Sequence, residues 1–312
     1  CAGTFNREGW YTFTVNGGPL DITISAQSND RNLFLQLISS TSACAGLTQI
    51  DCANANNSNN SAQTETISTT LSNGIYYIKV VNVGSQNNNM VLNEICVTGT
   101  PVNDTCTNAY TLISNTSCSP TSGSTFGAVD NNETGDCTDG NERAVWYQFT
   151  AVATTHVITV DGAAGFDPVV GVLTSCGSNT RPTGGACVDA TGDDGIETRT
   201  LTGLTVGQTY KIQVHDYNGD RTVNGFTICI THTAPTITSF TSASECTGNQ
   251  ITITGTNLTG ATAVNFNGIA ATSYTVNSAT QITATVPPGN TAGNITVTTA
   301  GGTATSSGTF TP

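Results

Sequence analysis

The chain is 312 residues long, room for about two or three domains, and only 9% of it is charged, far below the roughly 25% of an ordinary soluble domain. Eight Lys and Arg against 21 Asp and Glu give a formal charge of −13, which would repel a nucleic-acid duplex or an anionic membrane surface. No run of about 18 apolar residues occurs, so neither a membrane-spanning helix nor direct membrane insertion is expected.

Eleven Cys in so polar a chain imply an oxidising, extracellular compartment. None forms a CxxC pair or a Cys/His cluster at zinc spacing. Thr, Ser, Asn and Gly replace the missing charge, a mix that suits strands and tight turns. Hydrophobic residues make up 37%, enough for packed cores. The chain starts at Cys1 with neither an initiator Met nor a signal peptide, which reads as a mature or excised piece.

In chain order, REGWYTFTV (7–15) is followed by LDITIS (20–25), then by LFLQLISSTSAC, which ends at Cys44. A Gly- and Asn-rich loop carries Cys52, GIYYIKVV occupies 74–81, and NEICV carries Cys96. The same succession then returns: RAVWYQFT (143–150), HVITV (156–160), PVVGVLTSC to Cys176, a loop with Cys187, QTYKIQVHD (208–216) and FTICI with Cys229. This is an internal repeat. Cys1 and Cys137 each lie nine residues before their Trp, Trp10 and Trp146. NDTCTNAYTL and Cys118 precede only the second copy, so the first is expected to be N-terminally incomplete.

After His232 the character changes. Residues 235–312 contain one charged residue, Glu245, and short alternating strands punctuated by turns every 8–12 residues, the spacing of a β-sandwich. Ala234-Pro235 reads as a short linker. No amphipathic helix is expected. The fold class is therefore all-β, as tandem sandwiches: 1–99, 100–234 and 235–312.

Catalysis needs a positioned base, nucleophile or metal. The three His (His156, His215, His232) lie in or at the ends of strands, and no GxSxG, HExxH or phosphate-binding Gly loop is present. They read as ordinary sandwich histidines, and the chain as non-catalytic with no required cofactor. Calcium is the one metal with candidate ligands: Asp193-Asp194, and Asp216, Asn218 and Asp220 in HDYNGD. The second cluster begins like an EF-hand loop, but Arg221 and Thr227 stand at its Gly and bidentate Glu positions, and such loops are ordinarily turns. Trp10 and Trp146 occupy matching positions, which suggests a shared buried role.

Chain order favours local bridges Cys44–Cys52 and Cys176–Cys187, with Cys118–Cys137 upstream and Cys106–Cys229 joining first and last strands. Cys1 and Cys96 would then pair outside the sequence, stay free or bridge to another chain. Cys246 is the odd thiol.

The last segment resembles an IPT/TIG immunoglobulin-like domain. The carriers are PTITSFTSAS (235–244), ITITGTNLTGATAVNFNGIAA (251–271) and SATQITATVPPGNTAGNITVTTAGGTA (278–304). Both repeats resemble the bacterial pre-peptidase C-terminal family, through VWYQFT (145–150), FDPVVGVLTSCG (166–177), CVDATGDDG (187–195), LTVGQTYKIQVHDYNGD (204–220) and GFTICI (225–230). The first copy departs from this pattern in its Asn/Ser loop after Cys52, which lacks the Asp pair. The resemblance implies jelly-roll-like sandwiches ahead of the Ig-like one. The style resembles Thr-rich surface adhesins of Bacteroidota, implying a structural or adhesive segment of an extracellular surface or filament protein. Its partners would be neighbouring modules, copies of itself, surface glycans or host cell-surface proteins. The alternative function is a carbohydrate-binding accessory region of a secreted hydrolase.

Overall fold

The computed structural model describes residues 8–15, 18–28, 33–40, 47–54, 63–82, 92–129, 137, 143–163, 165–192, 195–217 and 225–312. The fold is all-β. Seven strands build the first copy: β1 (Glu8–Val15), β2 (Leu20–Ser28), β3 (Leu33–Ser39), β4 (Thr48–Ala53), β5 (Gln63–Leu71), β6 (Gly74–Asn82) and β7 (Leu92–Pro101). They form two sheets, β1-β6-β3-β4 and β5-β2-β7. β2 shows why: Leu20, Ile22, Ile24 and Ala26 are buried at every second position, so one face of the pleat enters the core while Thr and Asp face outward. That core also takes Val15, Leu33, Leu35, Leu37, Ile67, Ile78 and Val80.

The second copy holds β8 (Tyr110–Thr111), β9 (Thr121–Gly123), β10 (Val145–Thr150), β11 (His156–Gly162), β12 (Pro168–Leu173), β13 (Ile196–Leu201), β14 (Thr209–Asp216) and β15 (Phe226–His232). Its sheets are β12-β14-β10-β8 and β13-β11-β15-β9. The order β10-β14-β12 reproduces β1-β6-β3, and β13-β11-β15 reproduces β5-β2-β7. Registers agree as well: Trp10 pairs with Lys79 and Trp146 with Gln213. The copies differ at two edges. β8 adds parallel to β10, and β9 adds antiparallel to β15, whereas β1 and β7 are edge strands among the described residues.

The C-terminal unit comprises β16 (Thr236–Phe240), β17 (Gln250–Thr256), β18 (Ala263–Phe266), β19 (Ile269–Ala270), β20 (Ser273–Ser278), β21 (Gln281–Thr285), β22 (Gly293–Thr299) and β23 (Gly302–Phe310). Two four-stranded sheets, β16-β17-β21-β20 and β19-β18-β22-β23, enclose Ile253, Leu258, Phe266, Ile282, Ile295, Val297 and Phe310. Pro287-Pro288 lies between β21 and β22, where no ladder needs a donor. Asn267 and Gly268, both at positive φ, form the two-residue turn between β18 and β19.

Candidate functional site

Trp146 is buried (2% exposed) against Ala109, Leu173 and the half-cystine Cys106. Its backbone N–H donates to Asn103 O at 2.8 Å, and Asn103 Nδ2 donates back to Trp146 O at 2.9 Å. The shared buried role expected of the two Trp fails for Trp10, which is 44% exposed. Its indole N–H donates to Glu8 Oε1 at 3.0 Å, and Lys79 Nζ lies 5.3 Å from the ring centroid and 2.5 Å from Glu8 Oε2. The hydrogen bonds from Lys79 and then Trp10 hold the Glu8 carboxyl below the usual carboxylate range. The physical reason is a missing cover. Among the described residues, nothing in the first copy plays the part that 103–109 plays over Trp146.

The same segment closes the second sandwich along its side. Leu112 N–H donates to Gln148 O at 2.8 Å, and its side chain is buried in the core. Asn115 N–H donates to Ile230 O at 3.2 Å and His232 N–H to Asn115 O at 2.9 Å, so the chain crosses from β10 to β15. By the Trp and Cys registers, Phe149 and Ile230 match Phe13 and Val97. There a cavity of about 250 Å³ is lined by Phe13, Leu20, Ile22, Val97 and Gly99 of the first copy and closed on its other side by Ser124 and Phe126 of the second.

The disulfides correct the chain-order pairing. Among the described residues the bonds include Cys106–Cys176, Cys118–Cys229 and Cys137–Cys187, spanning 70, 111 and 50 residues. Cys176–Cys187 does not form, because backbone bonds such as Val172 N–H to Gly185 O fold the intervening loop back along β12. Val188 then bridges Val170 and Cys187 lies against Gly171, five residues before Cys176 and about 16 Å away if that chain is extended, whereas bridged Cα atoms lie within about 7 Å. Cys118–Cys137 and Cys106–Cys229 fail because each proposed pair serves opposite sheets. Cys137 lies over Gly171, where an added Cβ would come within 2.5 Å of its sulfur, and Gln213 Oε1 accepts its N–H at 3.0 Å. Cys118 lies beside β15. Cys52 is disulfide-bonded, while Cys1 and Cys44 lie outside the described residues. Cys96 is half-buried, Cys246 is exposed, and both are free.

Of the calcium candidates, Asp193, Asp194, Asn218 and Asp220 lie outside the described residues. Asp216 is buried and accepts Asp167 N–H at 3.2 Å. A carboxylate that the sequence reading missed is more telling. Glu197 is 1% exposed, and one oxygen accepts Ala190 N–H, Thr191 N–H and Thr191 Oγ1–H at 2.7, 2.6 and 2.8 Å. Glu65 is likewise buried in the matching strand of the first copy. The repeated Glu-Thr at 65–66 and 197–198 was the available signal.

His156 and His232 lie side by side. His156 is fully buried, 5.1 Å from the Phe149 ring and 5.8 Å from that of His232, with Nδ1 unpartnered. Burial, then the neighbouring His232, pushes its pKa down to about 4. His232 ties two units together. Its Nε2–H donates to Gly301 O at 3.1 Å, and its Nδ1 accepts Ser114 Oγ–H at 2.9 Å. Asn257, at φ 54°, donates through Nδ2 to Thr233 O at 3.1 Å and Ala234 O at 3.3 Å. Between the first two units, Val102 N–H donates to Pro19 O at 3.4 Å. Gly127, at φ +78°, packs so closely that a Cβ would meet Gly99 O at 1.9 Å.

A search of curated proteins finds no significant match. Among solved structures, the chain is similar to SGBP-B from a complex xyloglucan utilization locus in Bacteroides uniformis. Identity is 18% and the TM-score 0.26, over 49% of this chain and 48% of that one. It is also similar to the Bacteroides ovatus mixed-linkage glucan utilization locus SGBP-B in complex with mixed-linkage heptasaccharide. There identity is 12% and the TM-score 0.20, over 88% of this chain and 60% of that one. The chain thus spans about half to three-fifths of the length of these proteins, and likeness at this level carries no functional argument. The IPT/TIG domain family matches residues 235–312, so the C-terminal sandwich is an Ig-like IPT/TIG domain.

Proposed function

We propose that the chain is a non-catalytic structural and adhesive segment of an extracellular protein, a stiff row of β-modules that presents binding surfaces. The pre-peptidase-like reading of the first two units belongs to this proposal. The observation that carries it is the way the units are joined. β15 ends at His232 and β16 begins at Thr236, and Asn257 and Gly301 of the next unit bond to this short stretch from both sides. A joint with satisfied backbone groups and no free linker resists bending. The buried, deprotonated His156 and the bonded His232 suit such a frame rather than proton transfer at neutral pH.

Small-angle scattering tests the reading. The wild-type protein is expected to fit one arrangement of its last two units, and His232→Ala/Asn257→Ala to need a spread of angles. A wild-type profile that itself requires such a spread would remove the support. Glycans are the second class of partner, favoured by Tyr217, which is 48% exposed just after β14. An exposed ring next to polar groups is the chemistry that stacks on sugars, and retardation in a xyloglucan or mixed-linkage glucan gel, lost in Tyr217→Ala, would establish it.

A further inference from the structure

We infer that the first copy is an acceptor for an extended, cysteine-bearing segment of the kind that the second copy carries at 102–123. Four observations converge on one flank. Among the described residues, β1 and β7 are edge strands where β10 and β15 each gain a neighbour. Trp10 is uncovered where Trp146 is capped by 103–109. A cavity of about 250 Å³, closed on its far side by Ser124 and Phe126, borders Phe13 and Val97, the positions that match Phe149 and Ile230 in the core that Leu112 joins. Finally, Cys96 is free at the register position of Cys229, whose partner is Cys118.

No single one of these features assigns an occupant, but together they define its shape. It runs parallel to β1, places an apolar side chain in the cavity and crosses to β7. Its cysteine arrives beside Cys96, as Cys118 arrives beside Cys229. Main-chain bonds to an open edge supply the affinity of strand addition, and the pocketed side chain sets the register. The bond to Cys96 is an oxidation: two thiols lose two electrons and two protons to a disulfide oxidant such as oxidised glutathione, which is reduced to two thiols. The occupant is a stretch of this protein's own chain lying N-terminal to the first copy, as 102–123 lies N-terminal to the second.

The test is the 312-residue protein extended by a second copy of residues 102–136 joined to Cys1, which restores the spacing seen ahead of Cys137. Refolded in a glutathione buffer, it should show a disulfide between Cys96 and the added cysteine copied from 118. Trp10 should become shielded from acrylamide, as judged against a Trp10→Phe version. Replacing that added cysteine by Ser should leave Trp10 shielded, because the strand still docks. Replacing the added leucine copied from 112 by Asp should leave Trp10 open. The inference is overturned if Cys96 still alkylates and Trp10 quenches as in the unextended chain, or if the added cysteine goes to Cys246. Covalent dimers through Cys96 would overturn the same-chain assignment.

Discussion

The first and second copies share strand order, register and a buried Glu, yet they treat the same two residue types in opposite ways. Trp146 lies under a segment pinned at both ends by disulfides, while Trp10 faces solvent beside Lys79 and Glu8. Cys229 is bonded across 111 residues, while Cys96 is free. The sandwich core is therefore specified by strands that both copies possess. The finish of its flank depends on about twenty residues that carry little hydrophobic pattern of their own.

The difference can be broken most forcefully at the disulfides. Cys118→Ala/Cys229→Ala removes a cross-link closing a long loop, worth about 5 kcal/mol in the chain-entropy model. Cys96→Ser in the first copy should change stability by less than about 0.5 kcal/mol. Guanidinium denaturation, with each unit followed by hydrogen exchange, measures both. Next come the tryptophans. Trp146→Ala empties a packed site and should cost about 3–5 kcal/mol, whereas Trp10→Ala loses an exposed ring and a cation–π contact worth about 0.5–1 kcal/mol. Equal losses would contradict the difference in burial.

Acid sharpens the comparison further, because the first copy contains no His. His156 titrates at about 4 when folded and near 6.5 when unfolded, so the unfolded chain binds its proton first. The stability of the second copy should therefore be full above pH 6.5 and fall by about 2–3 kcal/mol on approaching pH 4. His156→Gln should flatten that slope. A modest effect is expected at the joint: Asn257→Ala should lower stability by about 1 kcal/mol while loosening the last two units.

Much of this was legible in the sequence where periodicity carried it. The alternation in LDITIS and HVITV, and the turn spacing after Pro235, predicted the sheets and the all-β class. Matching Trp and Cys positions revealed the repeat. Pairing of the cysteines was not legible, because sequence proximity says nothing about where a loop returns. Cys187 is eleven residues from Cys176 in the chain, yet it bonds Cys137 across the outer face of the sheet at Gly171. The exposure of Trp10 was hidden for a related reason. β1 and β10 look alike as strings, and burial at that position is set by the 103–109 cover. Glu197 was overlooked because a charged residue in a Thr-rich strand reads as solvated until the Ala190–Thr191 turn folds over it.

Non-reducing peptide mapping of the 312-residue protein after alkylation of free thiols tests the central difference most directly. The account predicts Cys106–Cys176, Cys118–Cys229 and Cys137–Cys187 intact, with Cys96 alkylated. Recovery of Cys176–Cys187, or of Cys96 in a disulfide within the same chain, would contradict it.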